Sequence, residues 1–156
     1  MKFRSLFIML LFFTGVTLAS PSEELATSLA EKMGVPDKYR KVDLEKLISL
    51  PVVPGATMVF NRYNGLSFDD FATSLPFAVL LSQDSVEQVL SFYDKNLTGF
   101  YKVKGNDQIV YFESEPQSLE NHPVSNLDKV WIEIQPSVVD GDNVTLIKIN
   151  YQLSNM

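Results

Sequence analysis

Residues 130–138 read VWIEIQPSV, residues 145–153 read TLIKINYQL, and DGDN at 140–143 joins them. In the first run Val130, Ile132 and Ile134 alternate with Trp131, Glu133 and Gln135. In the second, Thr145, Ile147, Ile149, Tyr151 and Leu153 alternate with Leu146, Lys148, Asn150 and Gln152. An apolar period of two marks a half-buried strand, and Asp-Gly between two such runs marks a hairpin. The pair commits this end of the chain to an antiparallel sheet with one strongly apolar face. The polar alternate positions predict that the other face is at least partly wet.

An apolar face needs a cover. SQDSVEQVLSFYDKNL at 82–97 offers Val86, Val89, Leu90, Tyr93 and Leu97 at steps of three and four, the pattern of a helix with one buried side. Asp84 with Glu87 three residues on predicts an acidic variant of the capping box, and Lys95 and Gly99 suit the helix end. Because strands bracket this helix, its stripe is expected to pack on the sheet, not on a partner.

Upstream, Pro54-Gly55 punctuates the backbone, TMVFNRY reads as a strand, and Asn64-Gly65 is a turn signal. A second strand is expected over Phe77–Leu81, with Pro76 at its start, where a missing donor is tolerated. FYKV and IVYFES, separated by KGNDQ, read as a further hairpin. The order β-β-α-β-β-β predicts an α+β fold: an antiparallel sheet of about five strands with one helix packed on one face. Residues 51–156 form that single domain. Residues 20–50 precede it as a helical arm, with Leu25, Leu29 and Met33 in a first helix ended by Gly34 and Pro36. Asp43 caps a second helical stretch, with Leu44, Leu47 and Ile48 as its apolar side. Residues 114–128 form the longest loop.

The first nineteen residues have the layout of a secretory leader. Lys2 and Arg4 precede an apolar run over Leu6–Val16, and Thr17-Leu18-Ala19 places small residues at the minus-three and minus-one positions. Cleavage near Ala19 leaves 137 of 156 residues, enough for one self-sufficient core. The apolar run is shorter than the roughly 20 residues of a spanning helix, so no stable membrane insertion of the mature chain is expected. The absence of cysteine removes disulfides, thiol nucleophiles and thiolate metal sites together. A periplasmic or otherwise secreted location suits such a chain, a bacterial periplasm best. Asn96-Leu97-Thr98 and Asn143-Val144-Thr145 match the glycosylation sequon, which matters only in a eukaryotic secretory route. Beyond the leader eleven basic residues face nineteen acidic ones, a net charge of −8, which argues against nucleic acid as a partner.

Little in the chain assembles chemistry locally. His122 is the single histidine, inside the long loop, and no Gly-x-Ser-x-Gly elbow accompanies it. One histidine without cysteine is a poor start for zinc, and DGDN lacks the ligand pattern of a calcium loop, so no metal is expected. Asp69 and Asp70 are adjacent and suit a turn better than a shared site. No phosphate-cradling or dinucleotide loop is present, and no cofactor is implied. Binding candidates remain. Trp131, Tyr101 and Tyr111 lie on predicted strands, and aromatics dominate binding hot spots. His122 joins them as a candidate for ligand or partner binding. Trp131 projects from the face opposite Ile132 and Ile134, where it is either an exposed anchor or packed under the arm or the long loop.

Pro54-Gly55-Ala56 before a strand, then Ser85, Glu87, Val89 or Leu90, Phe92 and Tyr93 on a helix, resembles small exported bacterial domains of unknown function. The resemblance covers at most residues 51–153 and implies a fold and a compartment, with no activity. The expected function is an exported, soluble, non-catalytic module that binds a protein or small apolar ligand through the open face of the sheet. Two alternatives follow from the same residues. One is a periplasmic carrier holding a lipid or other hydrophobic ligand beneath the helix. The other is a hydrolase or isomerase using His122 with a carboxylate.

Overall fold

The computed structural model describes residues 20–40, 48–68, 72–116 and 119–153, the side chains of 68, 72 and 73 excepted. The expected leader, most of the expected second helical stretch, Asp69 and Asp70 lie outside the described residues. A six-stranded sheet forms the centre, built from β1 (Thr57–Arg62), β4 (Phe77–Ser82), β5 (Tyr101–Lys104), β6 (Ile109–Phe112), β7 (Trp131–Val139) and β8 (Asp142–Asn150). The spatial order is β1-β4-β8-β7-β6-β5, with every pairing antiparallel. β2 (Ser67–Phe68) and β3 (Ala72–Thr73) make a separate small ribbon. The sheet therefore has six strands rather than about five: the two upstream strands, the FYKV–IVYFES hairpin and the final hairpin all join one sheet.

Among the described residues two α-helices lie on opposite faces of the sheet. Helix α2 (Val86–Asn96) buries Val89 and Tyr93 completely, and Val86, Leu90 and Leu97 pack beside them. They meet Ala78, Leu80, Ile132, Ile134, Ile147 and Ile149, the strongly apolar face. The predicted stripe is a packing stripe. Its cap sits one residue later than expected. Ser85 accepts from the Gln88 amide at 3.3 Å and donates its own amide to Gln88 Oε1 at 2.9 Å, so Ser85 and Gln88 complete the box instead of Asp84 and Glu87.

The other face is covered as well, contrary to the wet surface expected from Glu133, Lys148 and Asn150. Helix α1 (Pro21–Lys32) lays Leu25, Ala26 and Ala30 on Val59, Val79 and Leu81. Its buried side is rotated from the expected Leu25–Leu29–Met33 line: Ser22, Leu25, Ala26 and Ala30 are buried, while Met33 is 52% exposed. The alanines let the helix approach closely; β1 and β4 supply most of the surface that receives it, and Val139 of β7 with Val144 and Leu146 of β8 completes the same apolar cluster. Phe77, Val79 and Leu81 are buried on this side although Ala78 and Leu80 serve the other. A strand buried on both faces has no polar alternation to display.

Turn residues close the connections. Asp140 (φ 54°) and Gly141 (φ 93°) form the two-residue turn between β7 and β8, with Val139 opposite Asp142. Lys32 at the end of α1 pairs with Asp140 and ties the helix to this hairpin tip. Gly65 is the more constrained glycine. Its φ is +72°, and a Cβ there would sit 2.1 Å from the Ser74 carbonyl oxygen. Gly65→Ala is expected to lower the unfolding free energy by about 2–3 kcal/mol, combining left-handed strain with a backbone clash. Gly34→Ala, at φ +67° with nothing within 4 Å, should cost about 1 kcal/mol. Urea titrations of the two variants check the difference.

Candidate functional site

The long loop folds back over the sheet and carries His122 inward. Three hydrogen bonds hold it there. Asn150 Nδ2 donates to the carbonyls of Leu127 (3.1 Å) and Lys129 (2.6 Å), and the Trp131 indole donates to the Asn126 carbonyl at 3.0 Å. The imidazole stands edge-on to Phe112 and Trp131, with ring centroids at 5.6 and 4.6 Å. Its side chain is wholly buried. Nε2 lies 3.1 Å from Glu133 Oε2, and Lys148 donates to Glu133 Oε1 at 2.6 Å and to Gln135 Oε1 at 3.2 Å. Glu133 and Lys148 face each other across β7 and β8. Burial pushes the Glu133 carboxyl up, but the hydrogen bonds and charges of His122 and Lys148 outweigh it and hold the group below the ordinary carboxylate range.

A histidine paired with a carboxylate is the arrangement that general-base catalysis uses. Here the remaining nitrogen, Nδ1, is buried without a hydrogen-bond partner. A shallow depression of about 590 Å³ is lined by Glu120, Asn121, His122, Val124 and Ser125; His122 meets it through its backbone, because the ring is turned away from water into the core. As built, the pair fastens the loop to the sheet. A base must reach the proton it takes, and neither ring nitrogen meets solvent.

The four binding candidates do not share one surface. Trp131 is 1% exposed, packed edge-on against Phe77 and beneath the long loop. Tyr111 is buried on the α2 face, where its hydroxyl donates to Asp94 Oδ1 at 2.7 Å. Burial, with that hydrogen bond, pushes the Tyr111 phenol up to about 12. Lys102 pairs with the same carboxylate at 2.8 Å. Tyr101 stays 49% exposed on the edge strand β5. Among the described residues, no three or more histidine and carboxylate side chains come together as a metal site would require.

An open site that no sequence pattern flagged lies where α1 ends beside β1. Met33, Val35, Tyr39, Phe60, Arg62 and Leu66 line a recess of about 240 Å³. Phe60 and Arg62 alternate on β1, so both reach the same side. Val35 and Tyr39 come from the chain that leaves α1 after Gly34 and enters a single 3₁₀ turn at Asp37–Tyr39. The Tyr39 ring lies between two cations, Lys38 Nζ at 5.0 Å and Arg62 Cζ at 5.2 Å. Arg62 makes no ion pair among the described residues. The lining joins residues about thirty positions apart, which explains its invisibility to local spacing. A second recess of about 240 Å³ lies under the start of α2, beside Val86, Ile109, Ile134 and Pro136. No family model, no curated protein and no solved structure matches this chain.

Proposed function

We propose that the protein is an exported, non-catalytic binding module that works through the recess between the end of α1 and β1. The observation that carries this reading is the apolar lining of exposed Met33 and half-buried Val35 and Leu66, with a guanidinium in its wall that makes no ion pair among the described residues. Apolar surface combined with a few oriented polar groups is the usual makeup of a ligand site. Export rests on the leader and on the way α1 begins. Ser20 caps the helix, accepting from the Glu23 amide at 3.3 Å, and Pro21 opens it. A cut after Ala19 keeps that cap, whereas a cut after Ser20 removes it. The carrier reading gains less support. Val89 and Tyr93 on the underside of α2 are completely buried among core side chains, which leaves little room beneath the helix for cargo.

Two measurements test the proposal. Full-length chain expressed in a bacterial host should yield periplasmic protein whose mass begins at Ser20. A full-length mass in the cytoplasm would contradict export. A partner retained from the source cell's envelope should be held at least tenfold less by Met33→Glu, and equally by folded His122→Ala. The hydrolase alternative expects the reverse: an activity lost in His122→Ala and unchanged in Met33→Glu.

A further inference from the structure

We propose that the recess binds the C-terminal residue of a partner polypeptide, an apolar side chain together with its free carboxylate. This rests on the recess being the binding site. The apolar half of the chemistry comes from Val35, Phe60 and Leu66, which offer contact to a single leucine- or phenylalanine-sized group. The charged half comes from Arg62, whose planar fork suits a carboxylate held by two parallel hydrogen bonds.

Charge complementarity decides the sign of the ligand. The mature chain carries −8 overall, yet Lys38, Arg40 and Arg62 gather at this corner. Asp37 is the described anion beside them, and Arg40 already faces it at 3.9 Å. Arg40 also donates to the Thr27 hydroxyl at 2.5 Å, which fixes it toward α1. Among the described residues Arg62 has only the Tyr39 ring face, and a ring face leaves its in-plane donors available. At physiological salt charges are screened beyond about 8 Å, so the distant acids oppose an incoming carboxylate less than Arg62 attracts it.

Size decides the source. About 240 Å³ holds a group of roughly a dozen non-hydrogen atoms, so a free acid of that size draws on the recess alone. A polypeptide carrying the same terminal group adds contacts along the rim. The ligand is therefore a chain end, not a free metabolite.

The test uses the mature protein, immobilised, with biotinylated hexapeptides degenerate at five positions and ending in Leu or Phe, each as free acid and as amide. The expected result is at least tenfold greater retention of the acids. That preference should vanish in Arg62→Gln and persist in Lys95→Gln, which removes a cation elsewhere. Equal retention of acid and amide, or retention of neither, overturns the proposal. An acid preference that survives in Arg62→Gln removes the role assigned to that residue. N-acetyl-phenylalanine competing as well as the peptides would assign the site to a small acid instead. If acid and amide bind equally while Met33→Glu still abolishes partner capture, the recess stands as the binding site and only the carboxylate is wrong.

Discussion

Trp131→Ala is expected to lower the unfolding free energy by about 3–5 kcal/mol, the range for removing a fully buried large aromatic. The indole is 1% exposed, edge-on to Phe77 at 5.8 Å and to His122 at 4.6 Å. It also donates to the Asn126 carbonyl at 3.0 Å, so truncation opens a cavity and leaves that carbonyl with the longer bond from the Lys129 amide at 3.2 Å. Trp131→Phe keeps most of the ring packing and loses the hydrogen bond, so its cost should be about 1–2 kcal/mol. Trp131 is the single tryptophan, and far-UV circular dichroism in urea is therefore the readout. A loss under about 1 kcal/mol for the alanine variant would mean that the long loop does not close over this face.

Glu133→Ala should cost about 2–3 kcal/mol at neutral pH, toward the low end for breaking a buried ion pair. The low end applies because Lys148 keeps 29% of its side chain in contact with water and can turn outward. Replacing the whole network, His122→Phe with Glu133→Leu and Lys148→Met, should return stability to within about 1 kcal/mol of wild type or above it. The pH dependence follows from the carboxyl. Its value in the folded state is below the unfolded 4.5, so the folded state binds this proton less readily. Its contribution is complete above about 4.5 and is lost as the pH falls through the lower folded value. The gap between wild type and Glu133→Ala in urea midpoint should therefore narrow progressively on acidification below pH 4.5. A gap that stays constant from pH 7 to pH 3 would show that the carboxylate draws no stabilisation from His122 and Lys148.

Both expectations concern residues whose sequence pattern was read differently. Glu133, Lys148 and Asn150 look like the wet side of a sheet because each is polar. In the folded chain each has a partner: a facing charge for the first two, loop carbonyls for the Asn150 amide nitrogen, although the Asn150 Oδ1 has none among the described residues. Burial of a polar side chain depends on whether its hydrogen bonds are replaced, and residue type does not encode that. One part was within reach. A two-residue turn at Asp140-Gly141 sets the β7–β8 register and places Glu133 opposite Lys148 by counting alone. The third member, His122, arrives from a loop, and no register rule extends that far.

Local periodicity was enough to locate the strands of the main sheet, its β5–β6 and β7–β8 turns and the packing side of α2, though not the small β2–β3 ribbon, because side chains three, four or two apart share a face wherever the chain goes. The placement of α1 on the second face, the closing of His122 beneath its loop and the recess around Arg62 were decided only by the tertiary structure. Each depends on residues tens of positions apart meeting in space. Their encounter is selected by the burial of a whole sheet face and leaves no periodic trace in any one segment.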